Sequence, residues 1–453
     1  MLAVVFATFS GCTDFVTVDL PNTKITTASA FEDPKTATAA TLAIYDLMLR
    51  VGSFGASGAP NSIATACGIY SDEFDNYYLQ NAPLANNTLV ASNSTALSIW
   101  SSLYSTIYAA NAAIEGVNNS KTIDPDLGKQ LEGEAMFARA FCQFYLVSLY
   151  GDVPLVLSTD FRVNSIAARA HVNEVFSQII TDLQKAEGLL SQPYVSAERG
   201  RPNASTATAL LARVYLNTGN YDLAEATATK VIGQSDLYSL VPDLNSVFLK
   251  NSQEAIWQLV STVPTSYNTN EGNYFILTAA PTVVALSSNL VDTFDPSDKR
   301  LSAWVKTFIK GTSSYRFSYK YKVKGGTSPL AEHSIVLRLA EQYLIRAEAR
   351  AQLNKIAGPN SAASDLNTIR SRAGLPDAAI TTQTDMLLAI EKERKLELFS
   401  EWGHRWFDIK RTGRASEILS PLKSSWNPED QLFPIPEKEL GADTNLGPQN
   451  AGY

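Results

Sequence analysis

Apolar residues recur at helical spacing along most of this chain. Ala37, Ile44, Tyr45 and Met48 share a face after Asp33 and Pro34, an N-cap followed by a proline at the first helical position. The period returns at Leu97, Trp100, Tyr104, Ile107, Asn111 and Ile114. Asp124 and Pro125 repeat the cap-plus-proline start and predict a helix that runs to about Tyr150, before Gly151. Residues 172–190 are amphipathic through Phe176, Ile179, Leu183, Ala186 and Leu190.

Residues 207–232 predict a pair of helices. Ala212, Tyr215, Ala224 and Ala228 match the alternating small and large packing positions of a tetratricopeptide repeat, with Gly219 and Asn220 at the turn. A second unit places Ala340 and Tyr343 at the same spacing and continues, across a Gly/Pro/Asn loop, into residues 361–372. Such degenerate pairs imply a mainly α fold in which tetratricopeptide-like helical pairs stack into a curved superhelical scaffold.

Two stretches break the pattern. Residues 51–93 are rich in Gly, Ser, Asn and Ala and read as a long irregular excursion containing Asp72, Glu73, Phe74, Asp75, Asn76, Tyr77 and Tyr78. Within residues 236–332, residues 254–260 read as a buried strand and 262–281 as a loop. There Tyr315, Phe317, Tyr319, Tyr321 and Val323 alternate with Arg316, Ser318, Lys320, Lys322 and Lys324, predicting a strand with one aromatic and one basic face. The tail, residues 432–453, is rich in Pro, Gly and Asn but carries apolar Leu432, Phe433 and Ile435.

Residues 391–414 hold the densest mixture of charge and large apolar groups. On a helical projection, Glu393, Arg394, Glu397, Glu401, His404, Arg405, Asp408 and Arg411 fall in one third of the circumference, provided the helix continues through Gly403. Arginine balanced by carboxylates suits a buried bidentate network better than a solvated face. Glu393, Glu397, Glu401, Arg405 and Asp408 are therefore expected to be buried and bridged, in a structural rather than an acid/base role.

Composition narrows the function classes. With 453 residues and 45% hydrophobic content, the chain can bury a large core. A net charge of -8 argues against a general polyanion binder. The three histidines stand far apart, with no HExxH or Cys/His cluster, and no phosphate-cradling glycine loop or nucleophile elbow is present. No cofactor or metal is expected, and an enzyme is the weaker class. Asp295 and Asp298, beside Arg300, suit capping and bridging. The opening MLAVVFATFSGC resembles the end of a bacterial lipoprotein signal, with Cys12 as the lipidated residue, although no Lys or Arg precedes Lys24. Cys67 and Cys142 then remain, too few for a disulfide framework.

Several motifs together resemble the SusD/RagB family of nutrient-uptake outer-membrane lipoproteins. They are the Cys12 lipobox, EAMFARAFCQFYLVSLYGDVPLV from Glu134, the repeat-like LLARVYL from Leu210, LRLAEQYLIRAEA from Leu337, LNTIRSRAGL from Leu366, the 391–414 stretch, and the terminal LFPIPEKEL and NLGPQNAGY. Ser400, Thr444 and Ala451 depart from the family's usual residues. The resemblance implies a signal in residues 1–11, a tether in 12–30 and one SusD-like domain in 31–453. Helical repeats would lie mainly in 94–233 and 337–414, loop-rich ligand-face segments with short β-strands in 51–93 and 236–332, and an extended tail in 432–453. It further implies lipid anchoring on the outer membrane facing the cell exterior, and a partner, a SusC-like TonB-dependent barrel transporter, that receives a captured glycan.

The family's ligand residues do not sit in these motifs. A neutral sugar presents C–H faces and hydroxyls, so a site needs flat rings beside amides or charged groups on pre-formed loops. The aromatic residues in irregular segments with such neighbours are Tyr77 and Tyr78 with Asn76 and Asn81, Tyr267 and Tyr274 with Asn273, and more weakly Trp304 and Tyr315. Two alternatives share this architecture: peptide capture on the same face, and a protein-interaction scaffold that uses the repeat groove.

Overall fold

The computed structural model describes residues 30–50, 52–56, 58–260, 268–326 and 330–453. Helix α1 (Pro34–Leu49) opens where Asp33 accepts hydrogen bonds from the backbone N–H groups of Lys35 and Thr36. The next helix, α2 (Ile63–Tyr70), is buried on every side and leads into strand β1 (Phe74–Asn76). Helices α3 (Ser94–Asn119) and α4 (Pro125–Tyr150) follow, the second opened by Asp124 and closed by Gly151 at φ 77°. Next come α5 (Val172–Leu189), α6 (Ala204–Asn217) and α7 (Tyr221–Ile232). Each of α3 to α7 packs on its chain neighbour, so the array grows by adding one helix face at a time.

The chain then leaves the array. Strand β2 (Ala255–Leu259), the short helix α8 (Asn270–Phe275) and strands β3 (Val284–Leu286), β4 (Val305–Lys310), β5 (Ser313–Ser318) and β6 (Ser334–Arg338) form this excursion. Three antiparallel ladders organise it: β1 with β3, β2 with β6, and the hairpin β4–β5. Helices α9 (Leu339–Gln352), α10 (Ala362–Arg372), α11 (Gln383–Leu398) and α12 (His404–Arg411) follow, with α9 packed on α7 so that the array resumes across the excursion, and short helices Ala415–Leu419 and Glu437–Ala442 lie beyond them. The result is mainly α, with stacked helical pairs on one side and loops with short strands on the other.

Three sequence expectations are corrected. Residues 51–93 hold a wholly buried helix, α2, which has no polar face and hence no period to read. Part of the 262–281 loop is the helix α8. The aromatic/basic alternation stays in a strand only to Ser318; beyond it Lys320 turns inward and donates to the Glu397 carbonyl and the Glu401 carboxylate, among the rings of Phe248, Trp304 and Phe399.

The 391–414 stretch is also not one helix. The chain breaks between α11 and α12 through Ser400 and Trp402, both at positive φ, and Gly403 at φ 76°. The charged residues are buried on both sides of the break and reach outward to other elements. Glu393 pairs with Arg300 and Arg370, and Glu397 pairs with Arg300, Arg338 and Arg372. Glu401 pairs with Arg338 and Lys320, Arg405 with Asp72 and Glu391, and Asp408 with Arg394 and Arg411. Burial works to raise the Glu397 carboxyl, but Arg372, Arg338 and Arg300 overcome it and hold it well below the usual range. Burial, reinforced by Arg213, Arg394 and other cations, keeps His404 neutral. Asp298 caps α-helical residues Lys299–Trp304 and chelates Arg300. These ion pairs tie the end of the chain to β6, α10, the 299–304 helix and the turn after α2.

Candidate functional site

One sequence-selected pair meets in space. Tyr77 leaves the end of β1 and Tyr315 sits on β5; their rings lie edge to face, centroids 5.7 Å apart at 79°. Strand β3 pairs with β1 and packs against β5, which is what brings these distant residues together. Tyr77 is 43% exposed, a large fraction for an aromatic ring held at a fixed angle.

The loop that carries Tyr77 is built, not loose. Its backbone N–H donates to the Val283 carbonyl, extending the β1–β3 ladder by one residue. The Asn76 side chain accepts from the Tyr78 N–H and donates to the Tyr78 carbonyl, closing an Asx-type turn that fixes the tyrosine pair. Asn76 was expected among the ligand groups; both ends of its amide are instead used to shape the loop. Asn81 is corrected likewise: it is buried, donates to the Pro60 carbonyl and accepts from Thr95.

Charged groups surround the pair. Asp75 lies two residues before Tyr77 on the same side of β1, and burial raises its carboxyl while Arg316 opposes the rise. Arg316 pairs with Asp292 at 2.6 Å. Burial and the neighbouring Asp75 and Tyr315 push the Tyr77 phenol up, so it stays a hydrogen-bond donor at neutral pH. Asp75, Asp292 and Arg316 are not among the sequence-predicted site residues. Asp75 had a signal, since it falls in the DEFDNYY run; Asp292 had none.

The remaining candidates divide. Tyr78 is half-buried. Asn273 and Tyr274 lie half-buried on α8, whose Phe275 packs on Phe74 of β1 with ring centroids 5.4 Å apart. Among the described residues no ring contact joins Tyr274 to Tyr77 or Tyr315. Trp304 is corrected outright: it is fully buried, and its indole N–H donates to the Leu244 carbonyl. Its place between loop-like segments suggests a ligand surface, but it packs in the core against Phe248 and Phe399. Tyr267 and Cys12 lie outside the described residues. Cys67 and Cys142 are free and buried, and burial pushes both thiols up.

Among the described residues no group of His, Cys, Asp and Glu side chains is arranged to hold a metal ion, and no helix is long and apolar enough to cross a membrane. The arrangement can offer a ring face, a phenol and ionic hydrogen-bond partners to a ligand with both C–H and hydroxyl surfaces.

Comparison with known proteins places the chain in a family. A sequence model described as starch-binding and associating with the outer membrane matches residues 44–216, and one described as the SusD family matches residues 304–453. SusD-like protein P2 of Formosa agariphila is 28% identical over 429 residues, covering 81% of this chain and 83% of that protein. A SusD-like protein of Bacteroides ovatus is 26% identical over 386 residues, covering 72% and 68%. A SusD superfamily structure from Bacteroides vulgatus superposes with a TM-score of 0.82 at 20% identity, over 93% of this chain and 99% of that one. A laminarin-binding SusD-like protein gives 0.78 at 24% identity, over 92% and 99%. These structures share the fold nearly end to end, and the two sequence models fall on its first helices and its closing ones: the chain belongs to the SusD/RagB family.

Proposed function

We propose that this protein is a cell-surface lipoprotein that captures a glycan and delivers it to a SusC-like TonB-dependent barrel transporter, with no bond made or broken. The observation that carries the reading is the exposed Tyr77 ring, set edge to face against Tyr315 and beside Asp75 and the Arg316–Asp292 pair. A pyranose ring stacks its C–H face on such a tyrosine while its hydroxyls meet the carboxylates and guanidinium. Because Asn76 already holds the loop, little ordering remains to be done on binding, which favours a weak-contact ligand. The laminarin-binding relative with the same fold supports a glycan as the ligand class. Lipidation at Cys12 would supply the anchor, since more than one acyl chain on a cysteine holds a protein stably at a membrane surface.

Isothermal titration against neutral oligosaccharides and a peptide pool tests the reading. Oligosaccharide binding that weakens in Tyr77→Ala supports it. Tight peptide binding with no glycan response overturns it, and sugar release by the purified protein overturns the non-enzymatic part.

A further inference from the structure

Among the described residues three aromatic side chains are largely exposed: Tyr77, Tyr108 and Phe161. The first belongs to the site above. The other two flank a separate cleft of about 480 Å³. Trp100 and Tyr104 form its floor, their rings 4.9 Å apart, and the short helix Glu437–Ala442 with the turn after it supplies Glu439 and Asp443 along one wall.

From these features we infer that the cleft is a second glycan subsite, one that takes a neutral sugar residue between Phe161 and Tyr108. The inference rests on the glycan reading of the first site. Phe161 is 78% and Tyr108 53% exposed, and because both line the same cleft they form one apolar patch rather than scattered single residues. Phe161 does not sit on a slack loop. Asp160 caps its short helix, the Thr159 backbone N–H and hydroxyl both donate to Glu115, and Asn164 donates to the Ser158 carbonyl. The opposite wall is tied to it where Asn445 donates to the Ile166 carbonyl. The exposed apolar surface is thus held in place before any ligand arrives, which cuts the ordering cost of binding.

The polar lining selects the ligand. Glu439 is half-buried, and among the described residues its carboxylate forms no ion pair or side-chain hydrogen bond, while its charge together with burial pushes the Tyr104 phenol up. A carboxylate in that position accepts from a pair of sugar hydroxyls. Among the described residues no lysine or arginine lines the cleft, and Asp443 adds a second negative charge, so uronic-acid and sulfated residues are disfavoured. The Tyr77 site differs in carrying Arg316.

Titration of the full chain with neutral and acidic hexasaccharides, and with penta-arginine, tests this. The expected result is two binding events for a neutral oligosaccharide. Tyr77→Ala weakens one about tenfold; Phe161→Ala with Tyr108→Ala removes the other; and Glu439→Gln weakens the second at least fivefold while leaving the first unchanged. A single event that ignores the Phe161 and Tyr108 changes overturns the inference and leaves the Tyr77 site standing. Heat from an acidic oligosaccharide, or from penta-arginine, that depends on Phe161 also overturns it, the peptide result marking the cleft as a protein-docking face. Absence of all oligosaccharide binding overturns this inference together with the reading it rests on.

Discussion

Arg338 and Glu397 face each other at 2.7 Å in the interior, where Glu397 also meets Arg300 and Arg372 and Arg338 also meets Glu254 and Glu401. All of these side chains are buried. A buried pair is weak evidence of net stabilisation, because desolvation offsets attraction, but removing one partner strands the others. Glu397→Ala leaves three buried guanidinium groups short of a counter-charge.

Urea unfolding of Glu397→Ala should therefore show a loss of roughly 3–5 kcal/mol. Glu417→Ala removes the exposed partner of Arg414 and should leave the urea midpoint where it is. Equal effects from the two would show that burial does not set the strength of this network.

The contrast between these two glutamates also shows what the sequence makes legible. The arginine-rich composition of residues 391–414 points to the interior, because exposed helix faces favour lysine. The helix starts at Asp33–Pro34 and Asp124–Pro125 are legible because a cap and a proline act locally. Helix α2 is not, since a segment buried on all sides has no alternation to show. The break at Gly403 is legible only as a condition, because a glycine can end a helix but nothing local decides whether it does within an amphipathic pattern. At the candidate site, Tyr77 and Tyr315 are each legible as aromatic residues in irregular segments, but their contact depends on β3 lying between their strands. Trp304 and Asn81 fit the same local description and are buried; only tertiary packing separates them from Tyr77.

Glu73 gives a pH dependence with a definite sign. Burial pushes its carboxyl up to about 7 from 4.5, against the Ser400 backbone N–H and Lys320, which favour the charged form. The folded state thus holds its proton more tightly than the unfolded chain. This contribution is fully present below about pH 4.5 and is lost as pH rises through 7, a change of roughly 3 kcal/mol. Glu73→Gln should melt higher than the natural protein at pH 8, with the gap closing by pH 5. Thermal melts across that range check it, and a gap that widens toward acid refutes the sign.

Tyr77 and Trp304 should separate binding from stability. Tyr77→Ala removes an exposed ring and should weaken oligosaccharide affinity about tenfold, with little change in melting temperature. Trp304→Phe loses the hydrogen bond to Leu244 and core volume, which should cost about 1–3 kcal/mol of stability while leaving affinity unchanged. Calorimetric titration and melting of both variants give the test. Weakened affinity in a folded Trp304→Phe protein would return Trp304 to the ligand surface.

Gly403 and Gly413 test why the chain turns where it does. Both have φ above 70°, a region that costs a residue with a Cβ roughly 1–2 kcal/mol. At Gly413 an added Cβ meets nothing within 4 Å, so Gly413→Ala should show that backbone cost alone. At Gly403 the Cβ would lie 2.9 Å from the Cys67 Cβ, 3.0 Å from Phe407 and 3.1 Å from the Cys67 sulfur. Those neighbours belong to the core and cannot swing aside, so Gly403→Ala should lose about 1–3 kcal/mol more than Gly413→Ala. Denaturant unfolding of the two variants measures the difference directly. If they fall equally, the close approach of α2 to the α11–α12 break is not what requires glycine there.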